Sequence, residues 1–179
     1  MDCPSYPWFK LVNGSALEQG DILEACHVFL PPKELAAGRL DSVTFLVEER
    51  DLIVMSQTCD IIAEKITEVL LCAVWLRSEL TDGHLSTEKG MEDARRGNLP
   101  GFHLLNQCQL SHFEREVRVV DFRRVYSLPL GFVKAFAENA GTRIRLLPPY
   151  REHLSQAFAR FFMRVGLPVD IPAFRSGAR

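Results

Sequence analysis

Gln57-Thr58-Cys59-Asp60 sets an amide, a hydroxyl, a thiol and a carboxylate in four consecutive positions. At the end of a buried strand such side chains face a mouth, where ligands are commonly held. A catalytic Cys59 needs an imidazole or another cation beside it to form thiolate, and His27 is the candidate. The plain alternative packs Cys59 inward and leaves Thr58 and Asp60 to hold a turn. A second group is basic: Arg143, Arg145, Arg160 and Arg164, with Arg123, Arg124 and His153, are expected to line a groove. The planar fork of arginine suits phosphate, and a solvated surface is the alternative. Cys108-x3-His112 is the only close pair of metal-type ligands, whereas structural zinc sites carry paired ligands two to four apart. No metal is expected. No cofactor is expected either, since GxSxG, P-loop, GxGxxG and HExxH patterns are missing.

The elements that must carry these residues follow from patterning. Ile22 to Val28 alternates as a half-buried strand does, and Pro31-Pro32 stops it. Val43 to Asp51 leads into Leu52-Ile53-Val54-Met55-Ser56, an apolar run that reads as central and buried on both faces. Thr58 or Asp60 is placed to cap a brief helix over 61–66. Glu68 to Leu76 is the next strand. Residues 78–100 are polar and contain a helix from Ser86 to Arg96, with Ser86 as N-cap. Strands resume at Phe102 to Leu105 and Val117 to Phe122, with an alternating piece at Cys108 to Phe113. Pro129 to Asn139 reads as a helix ended by Gly141. Thr142 to Leu147 reads as an edge strand with its arginines outward. Tyr150 to Val165 carries apolar residues on one helical face, with Phe158, Phe161 and Phe162 docking it on the body. Residues 1–19 are irregular, with Trp8 and Phe9 tucked in, and 170–179 reads as a tail.

The 179 residues are 47% hydrophobic and 25% charged, which fits one globular domain with its own core and argues against wholesale disorder. No apolar run reaches the length of a membrane span. The start lacks the basic and apolar regions of a secretory leader, and five cysteines without a CxxC pair fit reduced thiols. A cytoplasmic protein that stays off the membrane is therefore expected. Residues 1–120 hold 11 Lys/Arg against 19 Asp/Glu, while residues 121–179 hold 10 against 4. That split permits a phosphate-facing surface or mutual attraction of the two parts.

Four segments together resemble the PemK/MazF family of toxin ribonucleases. Gly20-Asp21-Ile22-Leu23 is similar to the family's opening motif. Arg50-Asp51-Leu52-Ile53-Val54-Met55-Ser56 is similar to its Arg-Pro-apolar strand, with Asp51 standing where the family has proline. Val69 to Val74 occupies its next strand. Leu104 to Ser111 looks like its Gln-x-x-Ser segment. The resemblance implies an α+β fold: a small, mostly antiparallel SH3-like β-barrel over about 18–127, a polar insertion at 77–101, and a C-terminal helix-strand-helix over 128–179. It also implies RNA as partner and endoribonuclease chemistry. Arg50 would then face the scissile phosphate, with Ser78 or Thr58 as the hydroxyl and Gln57, Cys59 and Asp60 at the barrel mouth. The alternative expectation is a non-catalytic interaction module that binds a protein, a ligand or a second copy through that mouth.

Overall fold

The computed structural model describes residues 6–36 and 44–163 of the chain. Arg164 and the expected tail lie outside the described residues. The long alternating run after Gly20 forms β2 (Asp21–Leu30), one helical turn follows as α1 (Lys33–Ala36), and the two segments expected next fuse into one strand, β3 (Leu46–Val54). Leu52, Ile53 and Val54 are fully buried, as a central strand requires. β4 (Glu68–Leu76) and β5 (Phe102–Leu105) fall where the patterning puts them, while β6 (Arg118–Pro129) is longer than expected. β1 (Phe9–Val12) forms within the stretch read as irregular, because β7 (Arg143–Leu146) offers it a partner.

All pairings are antiparallel, in the order β1-β7-β2-β3-β4-β6-β5. The class is α+β, and the sheet is open, since no ladder joins β1 to β5. Its inner face gathers Phe9 from one edge strand and Leu105 from the other into a single cluster with Ile53, Val74 and Phe122. The sheet therefore curls strongly without hydrogen-bonding shut.

α5 (Tyr150–Phe162) lies over that face through Leu154, with Phe158 and Phe161 against Phe122. The opposite face is shared. α4 (Leu130–Ala140) covers one part with Val133 and Ala137, and α3 (Glu88–Arg95) covers β5 and β6 with Met91 and Ala94. Thr87, not Ser86, caps α3, its hydroxyl accepting the Gly90 amide at 3.0 Å. The short helix α2 (Thr58–Ile62) begins earlier than expected, with Gln57 at its N-cap and no side-chain cap. Cys108 to Phe113 is a turn, with one bridge from Cys108 to Arg115, so Cys108 and His112 share no strand face. Among the described residues no helix is long and apolar enough to cross a membrane.

The expected outward arginines are inward. β7 lies between β1 and β2 and is no edge strand. Arg143 and Arg145 are each 4% exposed and converge on Asp21, which is fully buried. Arg143 donates to Asp21 at 2.9 Å and to the carbonyls of Gly14 and Ala16. Arg145 pairs with both Asp21 and Glu18 and also reaches the Ala16 carbonyl at 2.8 Å. Burial demands this arrangement, since an unpaired charge in the interior is costly. Gly20 belongs to the same knot: its φ is +86° and a Cβ there would meet the Leu146 side chain at 3.1 Å. Asp21→Asn leaves two buried guanidiniums short of charge and is expected to destabilise the fold by about 3–5 kcal/mol in urea unfolding. A loss below about 1 kcal/mol would show the knot to be dispensable.

Candidate functional site

β3 and β4 pair Leu52 with Ala73, and continuing that register sets Arg50 opposite Trp75. β6 pairs with β4 at Asp121–Ala73 and at Val125–Cys72, so residues 122–124 are extra. A bulge of this kind re-aims side chains, and it leaves Arg123 and Arg124 exposed beside Trp75. The Arg50 and Arg124 guanidiniums lie 5.4 and 5.1 Å from the Trp75 ring centroid. Arg123 lies 4.2 Å from the Phe102 ring and holds Asp121 in a fork at 2.8 and 2.9 Å. The 77–101 excursion forms the facing wall, braced by Arg77–Glu88 and His84–Asp93. Between them is a cleft of about 430 Å³, lined by Trp75, Leu80, His84, Phe102, Arg123 and Arg124, with Glu79 and Asp82 also on its wall. Stacked arginines and aromatic rings can take a planar, anionic ligand.

The residues singled out for catalysis are not brought together. Arg50 pairs with Glu48, and its Nε is buried without a partner. The Ser78 hydroxyl is committed to Glu116. The Thr58 hydroxyl accepts the Gln19 amide at 3.1 Å. Arg50 and Thr58 stand at opposite ends of the run that joins them: Arg50 is mid-strand in β3 and Thr58 opens α2 beyond the strand's end, and the strand rises about 13 Å from Arg50 to Val54 alone.

At the second end, Gln19 Nε2 donates to the Met55 carbonyl at 2.7 Å. Cys59 is exposed, its Sγ 3.6 Å from Gln57 Oε1 and 3.8 Å from Asp60 Oδ1. His27 does not approach it. The Gly20 end of β2 adjoins Val54, whereas His27 is seven residues further along, paired with Glu49 at 3.5 Å and against Phe136. Burial pushes the Cys26 thiol up to about 11 and the Cys72 thiol up to about 12, so neither supplies a thiolate. Arg160 stands exposed on α5, far from a shared groove with the inward Arg143 and Arg145.

Two groupings escaped the sequence reading. Glu24 accepts from Arg115 Nε and Nη2, at 2.9 and 2.7 Å, and from Arg118 Nη1 at 3.2 Å. Burial opposes ionisation of Glu24, yet the Arg115 hydrogen bond and the Arg118 charge hold its carboxyl below the usual range. Asp51, beside them, is pushed up by burial and by the Glu24 charge, although it accepts the Ala25 amide at 2.9 Å. Arg118 is buried, and its Nη2 has no partner. These residues, distant in sequence, leave no pattern to read. The second grouping is His103 with His153, which line the same groove between α3 and α5.

Burial, and secondarily the His153 charge, lowers His103 to about 4. The unfolded chain gains a proton below pH 6.5 that the folded chain refuses until about pH 4. Stability should therefore fall through that window by about 3 kcal/mol on account of this group. His103→Gln is expected to flatten that limb in urea unfolding at stepped pH; an unchanged slope would contradict the assignment.

The chain matches no protein-family model, and no curated protein matches it.

Proposed function

We propose that the protein binds single-stranded RNA in the cleft between Trp75 and the 77–101 excursion, in a cytoplasmic setting. The observation that carries this reading is a cleft with Arg124 5.1 Å from the Trp75 ring centroid and Arg123 4.2 Å from that of Phe102, while Arg50, outside the cleft lining, reaches the same indole at 5.4 Å. Unstacked bases are held by aromatic rings and guanidinium planes, and phosphates by arginine charge. The likeness of the strand motifs to PemK/MazF toxins points the same way. In this reading the curled sheet is an opened SH3-like barrel, with both edges feeding one inner core, and the chain is a divergent or atypical endoribonuclease. Arg50 then acts through Trp75, whose ring it neighbours from outside the cleft, because Glu48 already holds its guanidinium.

A second reading, a protein-binding module or homodimer, is favoured by a different observation. The β2–β3 ribbon beyond the rest of the sheet leaves Phe29, Phe45, Leu46 and Val47 more than half exposed against the described residues. It predicts concentration-dependent assembly that Phe29→Ser abolishes.

Binding of a labelled mixed-sequence oligoribonucleotide separates the two. Trp75→Ala and Arg124→Ala should each weaken it about ten-fold or more, the worth of one stacked base. Arg124→Ala should also reduce the slope of log affinity against log salt by about 0.7, the share of one phosphate contact. Asp82→Asn should tighten binding by removing a like charge from the cleft. No retention of RNA at about 50 mM salt would end the RNA reading.

A further inference from the structure

The cleft at Trp75 does not stop at the excursion. It shares Phe102 with a pocket of about 300 Å³, and that pocket shares Arg95, His103 and His153 with another of about 340 Å³. The second and third pockets follow β5, which is an edge strand of the sheet, between α3 and α5. The Trp75 cleft and the pocket that holds the two histidines thus adjoin at Phe102.

Those histidines are chemically idle in the fold. His27 and His84 each face a carboxylate, at 3.5 and 2.9 Å. His103 stacks on Phe122, and His153 meets Tyr150 edge-on, but neither ring hydrogen-bonds to a described residue. His153 is exposed and His103 half-buried, and both line the groove. They are close enough for the charge of His153 to disfavour protonation of His103. Around them are Arg95 and Arg96, which share Glu92, and Arg160, which has no carboxylate partner among the described residues. Trp8 and Tyr150, stacked at 3.6 Å, close the far end.

We infer that the α3–α5 groove is an RNA phosphodiester-cleaving site in which His103 and His153 act as the base and acid pair. The inference rests on the RNA-binding reading above and moves the chemistry away from Arg50, Ser78 and Thr58. His103 takes the proton of a ribose 2′-hydroxyl as O2′ bonds to phosphorus. The P–O5′ bond breaks, and the His153 imidazolium gives its proton to O5′. The products are a 2′,3′-cyclic phosphate and a 5′-hydroxyl, and proton exchange with solvent resets both rings. Arg160 and the net positive charge of the Arg95–Arg96–Glu92 wall face the non-bridging oxygens.

The test uses the full chain with end-labelled oligoribonucleotides of mixed sequence and the matching DNA. Wild type should release cyclic-phosphate ends from RNA and leave DNA whole. His153→Gln, on an exposed helix face, and His103→Gln should each lower cleavage by about 100-fold or more, the scale of a lost general acid or base. Retention of the uncleaved DNA should stay within two-fold of wild type, which a merely unfolded variant would not match. Cleavage by His153→Gln at the wild-type rate, or hydrolysis that yields no cyclic phosphate, overturns the assignment. Wild type that binds RNA and leaves it intact overturns it too, while sparing the binding reading; failure to bind RNA removes both.

Discussion

Asp21 is fully buried and answers two buried guanidiniums. That constraint orders much else. Arg143 and Arg145 also take the carbonyls of Gly14 and Ala16, so the loop before β2 is fixed by the same two side chains. With β7 drawn against β2, β1 pairs with its far side, and the sheet gains one strand from before β2 and one from after α4. α5 follows β7 directly and must then cross the inner face, where Leu154 and the phenylalanines complete the core. The groove between α3 and α5 thus depends on an ion cluster in another part of the molecule.

Much of the arginine that gives the last third of the chain its basic balance is spent internally. Arg143 and Arg145 serve Asp21 and Glu18, and Arg123 holds Asp121. Upstream, Arg115 and Arg118 serve Glu24. The attraction between acidic front and basic back is therefore partly an interior fact, and the cationic surface is smaller than composition suggests. Arg124 and Arg160 are the exposed arginines of the last third that border a cleft without a carboxylate partner among the described residues.

What could be read from the sequence was whatever local periodicity encodes. β4 and β5 have the expected bounds, α4 is offset by a residue, and the run Leu52–Val54 is as buried as its composition demands. Two kinds of feature were not legible. Thr142 to Leu147 alternates arginine with apolar residues, and alternation cannot tell a solvent-facing arginine from one answered by a carboxylate 122 residues away. The bulge in β6 is likewise silent, because its three extra residues, Phe122-Arg123-Arg124, read as simple continuation of a strand. The candidate cleft needs that bulge, so Trp75 and Arg124 could not have been linked beforehand. Gln57 to Asp60, in contrast, stood out by composition, and most of its polar atoms are taken up in ordering the turn and its neighbour Gln19.

Asp51 joins the motif level to the packing level. β2 is bulged between Leu23 and Cys26, with Ala25 at φ +52°, and the amide that this bulge frees donates to the Asp51 carboxylate at 2.9 Å. A proline at 51 has no acceptor to offer that amide. The same bulge carries Glu24, on which Arg115 and Arg118 converge. Asp51 is thus tied to a bulge on the neighbouring strand and to a charge cluster that engages two arginines. Arg50, just ahead of it, turns onto Trp75 and is held by Glu48. Positions 24, 25, 51 and 118 are coupled by geometry, so changing Glu24 or Asp51 alone would leave a guanidinium or an amide without its partner.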